Sequence, residues 1–385
     1  MYQRFFHLTN DQQSVFIFGP RGTGKTSWLK TNFKDALYFD LLSSTTFTEF
    51  LGAPELLESR IPSHYTGWVI LDEIQRVPVL LNEVHRLIEE RKIKFILTGS
   101  SARTLRRKGV NLLAGRALTC HMHPLIAEEI GQDFDLEKAL IRGLLPMAYP
   151  AKHFKHYLNS YVETYLKEEV LQEALTRNIT LFARFLVNAS FSQGSELSYT
   201  TIAREIGTTR QTISNFFDIL DDLLISIRLP VFSKRAKRDL IAQQKFYYFD
   251  TGVYLSLRPQ GPLDNASEQR GPALETLFLQ HVRAINDYDF LGYELFYWRT
   301  RSQLEVDFVL YGEKGLLAFE IKHTTRLTSQ DFKGLKTFKQ DYPMTCCFMV
   351  YRGDREYFEQ DIHVTSMQSI LFKLRSLLHD PNGIH

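Results

Sequence analysis

Short, mostly apolar runs at Ser14–Phe18, Trp68–Leu71 and Ile93–Thr98 alternate with helical stretches as far as Cys120. Runs of this length with no polar face predict strands buried on both sides of a parallel sheet. Residues 1–125 therefore predict a doubly wound α/β domain. Beyond it the period changes. Residues 153–188 read as helix, unbroken by Pro or Gly, with a rough stripe of Tyr161, Tyr165, Val170 and Leu171 that core packing or subunit contact explains. A break at Ser192–Ser195 precedes a capped helix from Ser198 to Gly207, and Thr208-Thr209 opens a second helix running to Leu224. Helix, Gly-containing turn, helix is a helix-turn-helix pattern. The Pro- and Gly-rich stretch from Arg258 to Pro272 predicts a linker. Leu274, Leu277, Phe278, Val282 and Ile285 then mark an amphipathic helix, followed by strands at Glu294–Trp298, Leu304–Leu310, Leu316–Lys322 and Thr345–Tyr351. The expected organisation is a core over 1–125, a helical region over 126–190, a winged helix over 191–257 and a second α/β domain over 258–385.

Composition narrows the class without naming it. The 385 residues are 44% hydrophobic and 23% charged, and Lys+Arg 46 against Asp+Glu 44 leaves a net charge of +2. That excludes a disordered or collagen-like chain, and any nucleic-acid site must come from local clustering. Three cysteines, Cys346 and Cys347 adjacent, argue against a disulfide framework and for a reducing cytosol. No apolar run approaches the ~20 residues of a membrane span. The expectation is a cytoplasmic chain with no membrane partner.

The sharpest motif follows the first strand. Gly19-Pro20-Arg21-Gly22-Thr23-Gly24-Lys25-Thr26, then Ser27, is a phosphate-binding loop in its strand–loop–helix setting. Its backbone N–H groups and the helix N-terminus suit the phosphates of ATP. Lys25 would reach the β- and γ-phosphates and Thr26 would ligate Mg²⁺. The run Trp68–Leu71 ends in Asp72-Glu73, where Asp72 would hold Mg²⁺ and Glu73 would polarise the attacking water. Ser100, in Thr98-Gly99-Ser100-Ser101, is a candidate γ-phosphate sensor, and Arg103 or Arg116 could steady transition-state charge in cis or from a second copy in a homo-oligomer.

These segments, with Leu71-Asp72-Glu73-Ile74-Gln75, Leu113-Ala114-Gly115-Arg116 and Arg142-Gly143-Leu144-Leu145-Pro146, resemble the AAA-type ATPases of prokaryotes that carry a C-terminal domain of uncharacterised role. The resemblance implies an AAA+-like five-stranded core with Glu73 as base and Thr98–Ser101 as sensor. Tyr247-Tyr248-Phe249-Asp250-Thr251-Gly252 is similar to that family's pattern at the close of the winged-helix module.

In a DNA reader, Thr209, Arg210, Gln211 and Ser214 would face a groove, and Lys234, Arg235, Lys237, Arg238 and Lys245 would lie on the wing against phosphates. Winged helices also serve protein contacts, and charge runs are commonly solvated faces. Further on, strand alternation puts Glu320 and Lys322 on one face, where Asp307 can join them if the strands pair. Asp307 and Glu320 would ligate metal, Glu275 would complete the shell and Lys322 would orient water. This set resembles the PD-(D/E)xK restriction-endonuclease-like superfamily, although no Pro precedes Asp307. The alternative for the same residues is a salt-bridged sheet edge. The expectation is an ATP hydrolase coupled to an endonuclease-like domain acting on DNA, with RNA left open. The rival is a nucleotide switch whose C-terminal domain only binds. Cys120-His121-Met122-His123 lacks a completing cluster for a tetrahedral metal, and Arg106-Arg107-Lys108 reads as a solvated loop.

Overall fold

A computed structural model describes residues 2–8, 13–100, 113–166, 178–234, 236, 238, 240, 243–261 and 266–383. The chain divides into two compact units, Arg4–Pro124 with Asp222–Ile225, and Met1–Gln3 with Leu125–Asp221 and Ser226–His385. The segments expected as helical region, winged helix and second α/β domain thus fall in one unit, apart from Asp222–Ile225. Val170, Leu171, Ser101, Arg103, Arg106, Arg107, Lys108, Arg235 and Lys237 lie outside the described residues. Among the described residues no helix is long and apolar enough to cross a membrane.

The first unit is a five-stranded sheet ordered β2-β3-β4-β1-β5, from β1 (Ser14–Phe18), β2 (Leu37–Asp40), β3 (Trp68–Asp72), β4 (Lys94–Gly99) and β5 (Ala117–His121). Among the described residues its strands pair in parallel throughout. The residues of β1 are all buried, whereas the edge strand β2 is half-buried along its length. That difference is why β1 reads as a continuous apolar run and β2 carries Tyr and Asp. Helix α1 (Lys25–Asn32) leaves the carboxyl end of β1, and α4 (Leu80–Arg91) buries Leu80, Leu81, Val84 and Leu87 in the core with Phe16, Phe18, Leu71 and Leu97. Carboxyl ends of strands flanking a change in strand order are where open α/β sheets place ligands.

In the second unit, helices Ile179–Ala189, Tyr199–Ile206 and Arg210–Asp222 interlock through Phe182, Phe185, Tyr199, Phe216 and Phe217. Beside them lies an antiparallel sheet ordered β6-β8-β7, from β6 (Ser195–Glu196), β7 (Ser226–Leu229) and β8 (Lys245–Tyr248). A six-stranded sheet follows, ordered β13-β14-β12-β11-β10-β9: β9 (Glu294–Arg299), β10 (Glu305–Gly312), β11 (Gly315–Lys322), β12 (Cys346–Tyr351), β13 (Tyr357–Glu359) and β14 (Ile362–Ser366).

Three sequence expectations need correction here. The long helix expected over 153–188 is broken into Phe154–Ser160, a π-helical turn Tyr161–Leu166 and Ile179–Ala189, the last capped by the Asn178 side chain. The expected linker is only partly one: Gly271 and Pro272 lie inside a 23-residue helix, Ala266–Tyr288. Packing of Leu274, Leu277 and Phe278 outweighs the N–H that Pro272 cannot donate. The segment after β7 is not a free wing. It pairs along β9, with Tyr297 N–H donating to Pro230 O (3.1 Å) and Phe232 N–H to Tyr297 O (2.7 Å). Phe232 is buried with Trp298, Phe338 and Tyr342, so the segment covers what would be a bare sheet edge.

The two family-like segments of this unit interlock. Asp250 is fully buried and accepts N–H bonds from Leu144 (2.7 Å) and Val253 (3.1 Å), while Thr251 Oγ1 donates to Ala139 O at 2.8 Å. Gly143 sits at φ 69, and a β-carbon there would meet Asp250 Oδ1 at 2.0 Å, so Arg142-Gly143-Leu144 and Phe249-Asp250-Thr251-Gly252 are two halves of one joint. Burial lifts the Asp250 carboxyl to about 6, against the pull of its N–H partners. A folded-state value above the unfolded one gives stability that is present below about pH 4 and lost as pH rises through about 6. Between those limits this group contributes a fall of about 3 kcal/mol. Chemical denaturation at pH 4, 5 and 6 should therefore show a slope that Asp250→Asn flattens.

Candidate functional site

The loop from Gly19 to Gly24 joins β1 to α1. Gly24 caps the helix in the left-handed region (φ 98), supplies no side-chain oxygen to the first turn, and no acidic residue stands there. The first N–H groups of α1 thus lack a side-chain cap, the arrangement that receives an anion. Lys25 is buried and its Nζ donates to Gly19 O (2.6 Å) and Pro20 O (3.3 Å), folding the ammonium over the loop. Thr23 Oγ1 donates to Pro20 O at 3.0 Å. Arg21 and Gly22 are half-buried, and Ser27 is exposed on the helix. Arg4, which sequence reasoning missed, donates to Thr23 O (2.6 Å) and His123 O (2.7 Å) and fastens the loop from behind.

Asp72 closes β3 facing that loop. Its Oδ2 accepts from Thr26 Oγ1 at 2.8 Å and from the Tyr38 hydroxyl, and its Oδ1 accepts from Thr98 Oγ1. Thr26, Tyr38 and Thr98 come from three different elements, so the carboxylate is fixed in direction before any ligand arrives. Tyr38 was also missed; it stands mid-strand on the sheet edge, outside any motif. Burial, then the Asp72 carboxylate, raises its hydroxyl pKa, which keeps it a donor. Glu73 follows at φ 64, an uncommon backbone state for a residue with a β-carbon. Its N–H donates to Thr98 Oγ1 at 3.1 Å, and its carboxylate accepts from Gln75, which also donates to Ser100 Oγ at 3.0 Å. Two hard oxygens from separate elements, Thr26 Oγ1 and Asp72 Oδ2, meet beside the phosphate loop and fit a small divalent cation. Arg116 pairs with Glu89 on α4.

In the second unit Glu275, Asp307, Glu320 and Lys322 do come together. Lys322 Nζ lies 2.6 Å from Glu320 Oε1, and Asp307 Oδ2 accepts the Ile321 N–H at 2.9 Å. A residue assigned elsewhere joins them. Lys245, expected on the wing against phosphates, is 3% exposed, with Nζ 2.7 Å from Glu305, 2.8 Å from Asp307 and 3.1 Å from Glu275. Tyr247 donates to Glu275 Oε2 at 2.5 Å. Burial, then the Asp307 charge, lifts Glu275 to about 7, and the same two causes raise Glu320. Asp307 is held low because Lys245 and then Lys322 outweigh its burial. Among the described residues no group of three or more His, Cys, Asp or Glu is arranged to hold a metal. The expected metal shell of Glu275, Asp307 and Glu320 therefore does not fit with Lys245 in place: a dication would have to share Asp307 and Glu275 with a buried ammonium. The clue in the sequence was a lysine opening Lys245-Phe246-Tyr247-Tyr248, a strand buried at every position.

The other proposed nucleic-acid contacts separate into two groups. Thr209, Arg210 and Gln211 are exposed at the start of the helix Arg210–Asp222. Lys234 and Arg238 are instead paired with carboxylates, Lys234 with Glu294 (2.5 Å) and Arg238 with Asp341 (2.6 Å), because their segment lies along the sheet.

Comparison with known proteins divides the chain in three. Residues 11–131 match the AAA domain, residues 133–264 a domain of unknown function (DUF8612), and residues 270–370 another (DUF4143). The first stretch is thus similar to AAA domains, a likeness that suggests nucleotide-dependent ATPase activity. An uncharacterized protein of Mycobacterium tuberculosis is 26% identical over 356 residues, covering 89% of this chain and 77% of its own. One from Methanocaldococcus jannaschii is 24% identical over 354 residues, covering 80% and 75%. A crystal structure of a Vibrio cholerae protein aligns over 95% of this chain and 97% of its own at 12% identity, with a TM-score of 0.23.

Proposed function

We propose that this chain hydrolyses ATP with Mg²⁺ and that its C-terminal unit is a binding module governed by the nucleotide state. The observation that carries the first part is the Thr26–Asp72 contact of 2.8 Å beside a helix N-terminus that lacks a side-chain cap. Mg²⁺ held by Thr26 and Asp72 would offset charge on the β- and γ-phosphates. Loop N–H groups and Lys25 would bind the same phosphates. Glu73 would accept a proton from the water whose oxygen attacks the γ-phosphorus. The bond to the bridging oxygen breaks, and ADP leaves as the other product. Ser100 would contact the γ-phosphate, and Arg116 is the candidate cation for transition-state charge.

For the second part, Lys245 favours binding over cleavage. Its ammonium neutralises the carboxylates that a nuclease would use for metal. The exposed Thr209, Arg210 and Gln211 suit contact with a duplex, so DNA is the partner favoured, with RNA as the competitor to test. One preparation tests both parts. Phosphate release should require Mg²⁺ and fall about 10²–10⁴-fold in Glu73→Gln, which still binds ATP. Duplex, branched and single-stranded DNA and RNA, with Mg²⁺ or Mn²⁺ and with or without ATP, should stay intact. Cleavage that disappears in Asp307→Ala would restore the nuclease reading.

A further inference from the structure

Gln75 lies two residues beyond Glu73, in the 3₁₀ turn Ile74–Arg76 that follows β3. Its Nε2 donates to Glu73 Oε2 and to Ser100 Oγ at 3.0 Å, while its Oε1 is buried with no hydrogen-bond partner among the described residues. The opposite amide orientation would set oxygen against a carboxylate, which only accepts, so Glu73 fixes which way the amide faces. A buried amide that makes both N–H bonds and leaves its carbonyl bare is held there at a cost to itself. Room for it comes from Gly99, between Thr98 and Ser100, where a β-carbon would stand 2.7 Å from Gln75 Oε1. Ser100 Oγ accepts this N–H, which fixes the position of its hydroxyl against Gln75.

We infer that Gln75 is a positioning residue that ties the γ-phosphate contact at Ser100 to the direction of the Glu73 carboxylate. The inference rests on the ATP-hydrolase reading. One N–H of Gln75 holds Oε2 of Glu73, leaving Oε1 for water. The other N–H registers where Ser100 stands. Loss of the amide leaves the phosphate-binding loop untouched and releases the base.

Steady-state ATP hydrolysis, with a fluorescent ATP analogue for affinity, tests this on the full chain. In Gln75→Leu, kcat should fall about 10–100-fold, the size expected when a reacting group is displaced by about an ångström. KM and analogue affinity should stay within about threefold, since only the positioned step is lost. Ser100→Ala should lose kcat similarly, and the double variant should be no worse than the poorer single one, because the two act as one unit. Gln75→Glu, the same shape with a carboxylate against Glu73, should lose kcat at least as far as Gln75→Leu, because a carboxylate has no N–H to offer Glu73 or Ser100. An unchanged kcat in Gln75→Leu, a fall in affinity that matches the fall in rate, or additive losses in the double variant would overturn the assignment. A wild-type protein that releases no phosphate would overturn the hydrolase reading itself. It differs from failure of the Gln75 role, in which wild type and Gln75→Leu turn over alike.

Discussion

Lys25→Ala should slow ATP hydrolysis by about 10²–10³-fold or more and weaken nucleotide binding in the same variant, as loss of a preorganised donor at developing charge does. Both effects are expected because the Lys25 ammonium is folded over the loop, donating to Gly19 O and Pro20 O. A phosphate entering the loop would offer that ammonium an anionic acceptor in place of two neutral carbonyls, a stronger bond in a buried setting. Binding and catalysis therefore draw on the same group, unlike Glu73 or Gln75, whose loss should spare affinity. Phosphate release and analogue binding, measured side by side, distinguish these patterns.

The second large effect lies in the other unit and is one of stability. Lys245→Met should destabilise the protein by about 3–5 kcal/mol near neutral pH, the usual consequence of removing one partner from a buried ion network. Glu275, Glu305 and Asp307 each lie within 3.1 Å of the Lys245 ammonium, and methionine would keep the volume while removing the charge. The sign with pH follows from the carboxyls. Without the ammonium Glu275 and Asp307 lose the cation that pulls their folded-state pKa values down, so the loss should shrink as pH falls and protons replace the missing cation. Urea denaturation at pH 5 and pH 8 checks both size and sign. Adding Mn²⁺ completes the experiment. If wild-type stability ignores Mn²⁺, Lys245 is the cation of this pocket. If Mn²⁺ stabilises wild type and Asp307→Ala abolishes that, the metal reading takes precedence.

The same lysine also explains why the segment after β7 behaves as it does. Lys234, Arg238 and Lys245 all find carboxylate partners on the six-stranded sheet or the helices around it. The described members of the basic stretch read from sequence as a phosphate-contacting wing are thereby paired within their own unit. Surface pairs such as Lys234–Glu294 contribute little, roughly 0–1 kcal/mol, whereas the buried Lys245 cluster fixes the register of β8 against the sheet.

The sequence by itself determined the elements whose information is local. The phosphate loop, Asp72-Glu73 and the Thr98–Ser100 tip could be read directly because each is a contiguous run at the end of an apolar strand, where backbone geometry alone aims the side chains. The helix-turn-helix pair was legible for the same reason, through Gly207 and the helical period around it. Tertiary structure alone decided what depends on partners far along the chain: Tyr38 on Asp72, Arg4 behind the loop, Lys245 among Glu275, Glu305 and Asp307, and Pro272 inside a helix. The physical reason is that a charge, a hydroxyl or a proline has no fixed meaning until its surroundings set the cost of burying it. A strand declares its burial in its own residues; Lys245, 62 positions before Asp307, could not declare its partner.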